Sequence, residues 1–253
     1  MIAMNDILFY IVILLSNIIQ GITGFAGTIL AMPFSIQLVG MDTAVPVLNV
    51  LGLLSGIYVF AGSRKNVDKG VLLQVLKVMG VGVLLGLVTR HFLSGKPRLL
   101  YFILGGIVLG ISVHGLFSKL KSSGIMASAK AGAKKEYGFL MFLLLFAAGI
   151  VHGMFVCGGP LLIGYLTKKL PEKAAFRATI STTWIFLNGL ILISQIIQGM
   201  WSVELLKTTA VSLPFLFGGM FTGGLLYKRM SQSFFVVLTY ILLFIAGLSL
   251  FFK

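Results

Sequence analysis

Long apolar runs separated by short polar gaps make up nearly the whole sequence. Each run is far longer than the roughly four to eight residues of a buried strand, and the residue-by-residue alternation of a membrane β-strand is absent. About 20 consecutive apolar residues cross a bilayer as a helix. The pattern therefore predicts an all-α integral membrane protein. The apolar runs cover roughly residues 7–39, 45–62, 71–93, 99–118, 138–166, 178–200, 205–227 and 232–252.

Composition supports the same class. The chain is 58% hydrophobic and 10% charged, with a mean hydropathy of +1.06, whereas a soluble domain is about a quarter charged. Its net charge of +14 comes from basic residues in the polar gaps, where membrane orientation places them, so we expect a lipid bilayer and no nucleic acid as partner. A single cysteine excludes an intrachain disulfide and a cysteine-based metal cluster. No cofactor or metal is expected.

Glycine and proline interrupt two of the runs. The first contains Gly21, Gly24, Gly27 and Pro33, and the fifth contains the glycine-rich segment 149–164. Each half of such a run has roughly 15 residues, or about 22 Å of helix, which is shorter than the hydrocarbon core of about 30 Å. Each interrupted run therefore predicts two short helices that meet or turn inside the membrane.

One constant shift along the chain, which we call the repeat shift, superposes the two interrupted runs. It places Gln20 on His152 and Gly27 on Gly159, and it needs no gap from about residue 20 to 102. We expect a first repeat over 1–118, a linker over 119–136 and a second repeat over 137–253, each with an interrupted, re-entrant helix pair plus three transmembrane helices. An odd number of crossings inverts the second repeat relative to the first, as in many secondary transporters.

Basic residues predict the orientation. If each interrupted run enters and leaves on one side, the gap at 63–70, the linker 119–136, the segment 167–177 and residues 228–229 share a face. These segments hold most of the lysines and arginines, so this face is predicted to be cytoplasmic. The expected location is the cytoplasmic (inner or plasma) membrane, with several crossings, a cytoplasmic linker and the N-terminus outside.

The start of the second helix at each interruption predicts an anion site. Its first N–H groups lack intrahelical acceptors and carry the positive end of the helix dipole. Two inverted halves would bring two such starts together near the midplane. The alternative is that the glycines only allow close helix packing. The candidate substrate-binding residues flank the two starts or lie on the next helix of each half: Asn17, Gln20, Gly21, Thr23, Gly24, Gly27, Asn49, His152, Gly153, Cys157, Gly158, Gly159, Ser181 and Thr182.

Three titratable residues add further hypotheses. His152 is a candidate proton carrier because histidine titrates near neutral pH. Arg177 either anchors the cytoplasmic end of its helix or draws anions toward the inner mouth. Cys157 is either an apolar filler or a thiol facing the site. All six acidic residues fall at the ends of runs, so a carboxylate proton relay is not expected. A membrane potential that is negative inside favours the export of an anion.

Three segments resemble a known family. Gln20-Gly-Ile-Thr-Gly-Phe-Ala-Gly27 with Pro33 resembles the glycine-rich opening of the TauE/SafE sulfite exporter family, also called TSUP. His152-Gly-Met-Phe-Val-Cys-Gly-Gly-Pro-Leu-Leu162, followed by Lys173-Ala-Ala-Phe-Arg-Ala-Thr179, resembles its second-half signature. The resemblance implies a polytopic carrier of sulfur-containing or organic anions such as sulfite, thiosulfate, sulfoacetate or other sulfonates.

The sequence thus predicts a secondary transporter and not an enzyme. It would export a small sulfur-containing anion by alternating access of its two halves. The alternatives are a broader organic-anion permease, which carries carboxylates or sulfonates, a passive anion pore, and an intramembrane enzyme. The enzyme is disfavoured because the chain lacks an HExxH pair, a GxSxG elbow and paired acids. A homodimer is an assembly that the sequence leaves open.

Overall fold

The computed structural model describes residues 4–93, 96–124, 137–170, 172–227, 240–241, 244–245, 247–248 and 251. These residues are helical almost throughout and include no strand, which confirms the predicted all-α class. Apolar runs form helices in lipid because every backbone N–H and C=O must find its partner within the segment. The helices are α1 (Met4–Thr23), α2 (Gly27–Val39), α3 (Met41–Ser63), α4 (Lys69–Leu93), α5 (Pro97–Gly124), α6 (Tyr137–Phe155), α7 (Gly159–Lys169), α8 (Lys173–Ile197) and α9 (Val203–Tyr227), with a 3₁₀ turn at Arg64–Asn66.

Five segments among the described residues are long and apolar enough to cross a membrane. Large apolar side chains such as Leu84, Phe186 and Phe221 are more than half exposed on their outer surfaces, which suits lipid and not water. The chain is therefore a multi-pass membrane protein. The five segments are Met4–Thr23, Met41–Asn66, Lys69–Leu93, Ala174–Ile197 and Val203–Leu226.

Both interrupted runs break, but into unequal pieces. α1 has 20 residues and α2 has 13, while α6 has 19 and α7 has 11. The expectation of two short helices of similar length is wrong, because Gly21 continues α1 and only Gly24, with a φ of 83°, turns the chain. The corresponding turn in the second run is made by Val156, with a φ of 58°. The repeat shift places Gly24 on Val156.

Glycines bring the first helix of each pair against a helix of the other half. α1 packs along α9, and α6 packs along α4. A Cβ added at Gly21 would meet the backbone of Met220 at 2.8 Å, and one added at Gly153 would meet the carbonyl of Val83. Gly21 and Gly153 therefore serve close helix packing, the alternative that the sequence left open for these glycines.

The contact register departs from an ungapped repeat shift between α4 and its counterpart α9. The repeat shift places Gly86 on Gly218. Gly86 packs on Gly153 of α6, but it is Gly223, not Gly218, that packs on Gly21 of α1. The gap-free extension of the shift through α9 is therefore wrong. The second half has additional residues before this part of α9, and with them Gly223 takes the place against α1 that Gly86 has against α6.

Helices α3 and α8 run antiparallel and cross near their middles. A Cβ added at Gly56 would meet the carbonyl of Ser181 at 2.7 Å, and one added at Gly52 would meet Asn188 Nδ2 at 2.6 Å. Further along, Asn49 Nδ2 donates to the carbonyl of Asn188 (3.1 Å). The crossed helices α3 and α8 form the centre of the bundle, and the two broken helices pack against them.

Two sequence predictions fall wholly or partly outside the described residues. α5 continues to Gly124, so the first residues of the predicted linker 119–136 are helical, and 125–136 are not described. Most of the last apolar run, 232–252, is also outside the described part of the chain.

Candidate functional site

The two helix breaks open onto one small cavity, which we call the central cavity. It lies halfway along α3 and near the middle of α8, at the level of Gly52 and Trp184. Its volume of about 10 Å³ is room for about one water molecule. Both halves therefore contribute to the same site. The cavity is lined by Gln20, Phe25, Thr28, Ile29, Gly52, His152, Val156, Cys157, Gly159, Trp184 and Asn188.

At the first break, Gln20 joins the start of α2 to α3. Its Oε1 accepts a hydrogen bond from the amide of Gly27 (2.7 Å), the first residue of α2. Its Nε2 donates to Ser55 Oγ on α3 (3.1 Å). Gln20 thus replaces the missing intrahelical acceptor for one of the first amides of α2.

At the second break, His152 does the same for α7. Its Nδ1 accepts from the amide of Gly158 (3.4 Å), the residue that precedes α7. Its Nε2 lies 2.8 Å from Asn188 Oδ1 on α8. Because Nδ1 is the acceptor, the ring proton lies on Nε2, which donates to Asn188. The imidazole in this arrangement is neutral.

The two capping side chains stand at corresponding positions. The repeat shift places Gln20 on His152, each comes from the last turns of the first helix of its pair, and each reaches the long helix that follows the break. Their exposed fractions are 4% and 2%. The halves therefore close their breaks with the same construction and different residue types.

Three other amides at the helix starts have no hydrogen-bond acceptor among the described residues. Thr23 Oγ1 accepts hydrogen bonds from the amides of Phe25 and Ala26 at 3.4 and 3.3 Å. The amides of Thr28, Ile29 and Gly159, in contrast, have no hydrogen-bond acceptor within the described part of the chain. These three residues all line the cavity. Buried N–H groups at helix N-termini are the donors that proteins use for small anions.

Aromatic rings contribute to the lining of the cavity. The rings of His152 and Trp184 stack with centroids 4.9 Å apart and an interplanar angle of 29°. Phe25 lies edge-on to Phe176 at 6.1 Å, and its carbonyl oxygen approaches Gly159. The cavity lining thus combines residues with unpaired backbone amides and aromatic side chains.

Arg177 and Ser181 meet the end of α1 beside the cavity. Arg177 Nη2 donates to the carbonyl of Gly21 (2.7 Å), and Ser181 Oγ donates to the carbonyl of Gly24 (3.4 Å). A cation at a helix C-terminus satisfies unpaired carbonyls and complements the helix dipole. Arg177 therefore links α1 to α8, a contact that the sequence did not indicate.

Other candidate residues lie apart from the cavity. Asn17 donates to the carbonyl of Ile13 (2.8 Å), and Thr182 donates to that of Ala178 (2.7 Å). Asn49 bonds to α8 at the helix crossing. Cys157, in contrast, is buried and lines the cavity.

Several lining residues are absent from the set that the sequence predicts. Asn188 is one of them, although a polar residue in an apolar run is a signal that could have found it. Gly52 and Trp184 are two more, and the repeat shift, which places one on the other, could have identified them as a pair. Phe25 and Thr28 belong to the glycine-rich segment of the first break, where the prediction rests on glycines and strongly polar side chains alone.

Among the described residues, no group of three or more His, Cys, Asp or Glu side chains is placed to hold a metal ion. The chemistry available at the central cavity is hydrogen bonding from backbone amides and neutral side chains.

The fold and this cavity define a polytopic α-helical membrane protein with a buried polar site between two broken helices. Residues 9–250 match the family model described as Sulfite exporter TauE/SafE. The chain therefore belongs to the TauE/SafE sulfite exporter family. No curated protein and no solved structure matches the chain significantly.

Proposed function

We propose that this protein is a secondary transporter that exports small sulfur-containing anions, such as sulfite, thiosulfate, sulfoacetate or other sulfonates, across the cytoplasmic membrane. The observation that carries the proposal is that three residues whose amides have no acceptor, from two helix starts in different halves of the described chain, line one buried cavity. Family membership supports an anion as the cargo.

The chemistry of the cavity suits an anion that binds and then leaves. Oriented amides and helix dipoles attract negative charge without a fixed cation. The carbonyl-capping Arg177 lines no part of the cavity. An arginine inside the site would hold an oxyanion through charge-assisted bonds, which opposes release.

Alternating access is proposed because the halves exchange equivalent partners. α1 packs on α9 while α6 packs on α4, and α3 packs on α8. Two inverted halves could rock about the α3–α8 crossing and open the site to each side in turn. The conformation described has room for about one water, so the cavity must widen to admit a sulfite ion.

The orientation proposed is an outer N-terminus and a cytoplasmic linker at 119–136. It rests on the basic residues around Arg64–Asn66 and around the start of α8. A potential negative inside then drives an anion outward.

A broader organic-anion permease is a second candidate. The aromatic side chains of Trp184 and Phe25 in the cavity lining would accommodate a carbon-containing group attached to a sulfonate or carboxylate. Inorganic sulfite has no such group, so competition by sulfoacetate and by acetate against labelled sulfite distinguishes the two functions.

The test is counterflow in proteoliposomes, with labelled sulfite or thiosulfate outside and unlabelled anion inside. A carrier is stimulated by anion on the opposite side, whereas a pore is not. We predict that Gly159→Leu lowers flux roughly tenfold to a hundredfold, the effect of overpacking a site by about 1–3 kcal/mol. Gly159→Ala should remain active, because its Cβ would lie 3.4 Å from the nearest atom, Phe25 O.

Gly106→Leu is the matched control. A Cβ added at Gly106 meets nothing within 4 Å in the described part of the chain, so its flux should equal that of the wild type. Full activity of Gly159→Leu in correctly inserted protein would contradict a site at these amides. A wild type without anion flux would contradict the transport function itself.

A further inference from the structure

We infer that Gln20 and His152 are internal stand-ins for the transported anion. In the conformation described they hold amides at the two helix starts, and an arriving anion takes over those amides and releases the side chains. This inference rests on the proposed function and assigns the two residues a role as positioning residues rather than direct ligands.

The geometry supports this role in both halves. Gln20 Oε1 lies 2.7 Å from the amide of Gly27, and His152 Nδ1 lies 3.4 Å from the amide of Gly158. Each acceptor points at a helix start and belongs to a residue that lines the central cavity. Each therefore occupies the position of an oxyanion oxygen that would approach the same N–H groups.

The exchange of acceptors is energetically balanced. An unpaired buried amide is costly, so the helix starts keep an acceptor when no anion is bound. An ionised oxyanion is a stronger acceptor than a neutral amide or imidazole. It can also reach the neighbouring amides of Thr28 and Gly159. Because the anion and the side chains compete for the same amides, the outcome follows the anion concentration, which allows binding on one side of the membrane and release on the other.

Release of the Gln20 and His152 side chains would also affect the crossing of α3 and α8. Gln20 Nε2 is bonded to Ser55 Oγ, which donates to the carbonyl of Gly52 (2.9 Å). His152 Nε2 is bonded to Asn188 Oδ1 (2.8 Å), and Asn188 abuts Gly52. Both tethers end where α3 and α8 cross. Anion binding would thus loosen the contact between α3 and α8 when the two halves must move.

The decisive experiment measures sulfite affinity of purified full-length protein by titration calorimetry. Gln20→Met removes the competing acceptor and keeps the side-chain volume. We expect it to bind sulfite about fivefold tighter, the equivalent of one helix cap, while its counterflow slows. If Gln20 were a direct ligand, the same variant would bind more weakly. A structural role alone would not produce tighter binding.

Gln195→Met is the matched control, because Gln195 is equally buried on α8 and contacts Asn49 at 3.4 Å outside the cavity. Its sulfite affinity should equal that of the wild type. His152→Phe tests the second half and should also bind more tightly. Weaker binding by either cavity variant, with normal wild-type binding, overturns the inference and leaves the transport function standing. A wild type that binds and transports no anion removes both.

A second measurement needs no change in the cavity. In a Trp201→Phe background, Trp184 is the remaining tryptophan, and its stacked partner is His152 at 4.9 Å. Saturating sulfite should change its emission, because the imidazole leaves the indole. Unchanged emission at saturation would overturn the release of His152.

Discussion

At the scale of single residues, the direction of each hydrogen bond determines what a polar side chain inside the membrane can do. His152 accepts at Nδ1 and donates at Nε2, so both nitrogens are committed in the neutral ring. Adding a proton at Nδ1 would place it against the N–H of Gly158. The proton-carrier role predicted for His152 would therefore require the cap of α7 to open first.

His152→Gln tests this point, because glutamine is the residue that performs the same task at position 20. Its Oε1 can accept from Gly158, and its Nε2 can donate to Asn188. We expect sulfite flux within about threefold of the wild type, less than the loss of one net hydrogen bond of about 1 kcal/mol, and an unchanged pH dependence of flux. A flattened pH profile in proteoliposomes would instead assign a transported proton to His152.

The sequence singled out Gln20 and His152 at the breaks, but not their roles there. Gln20 and His152 stand out in the sequence because a polar residue in an apolar run needs a partner. Whether such a residue donates to a ligand or accepts from a backbone amide depends on distances that only the folded chain supplies. The same holds for Asn17 and Thr182, which bond to carbonyls of their own helices.

At the scale of elements, the breaks follow from backbone chemistry that is only partly visible in sequence. Gly24 makes the first turn with the positive φ that glycine adopts readily. Val156 makes the second turn with a φ of 58°, which a β-branched residue adopts only under strain. The glycines after it predicted a break, but residue type alone could not locate the turn at a valine; only the repeat shift, which places Gly24 on Val156, points there.

Arg177 acts at this scale because it joins two elements. Removing its bond to the carbonyl of Gly21 should destabilise the end of α1. We expect Arg177→Met to lose about 1.5–3 kcal/mol, as for other hydrogen bonds to charged groups, measured as a lower midpoint of thermal unfolding in detergent. Arg64→Met is the control, since Arg64 is exposed in the 3₁₀ turn. An unchanged midpoint for Arg177→Met would contradict this stabilising contact and leave Arg177 with the predicted role of a cytoplasmic anchor.

At the scale of the whole molecule, the two halves share a construction but not its chemistry. The repeat shift places Val45 on Arg177, and a valine side chain cannot cap a carbonyl. The end of α1 thus has a cationic cap from α8. The corresponding position on α3 is a valine and provides no such cap for the end of α6. If the halves exchange conformations during transport, the two end states differ in energy, and the closed arrangement at α1 is the one that Arg177 stabilises.

The antiparallel crossing of α3 and α8 also gives the membrane orientation a direct test. Gly56 lies against Ser181 and Asn49 against Asn188, so the turn after α3 and the connection before α9 lie at opposite ends of the bundle. Lys65 and Lys207 are exposed at these two ends, and the native Cys157 is buried, which keeps background labelling low.

We expect a membrane-impermeant maleimide to label Lys207→Cys on intact cells and to label Lys65→Cys only after the membrane is permeabilised. The reason is that the arginine and lysines around the turn after α3 stay on the cytoplasmic side. Labelling of Lys65→Cys from outside, with Lys207→Cys protected, would reverse the orientation. The membrane potential would then act on the cargo in the same direction, but Arg177 would close the outer end of the site instead of the inner one.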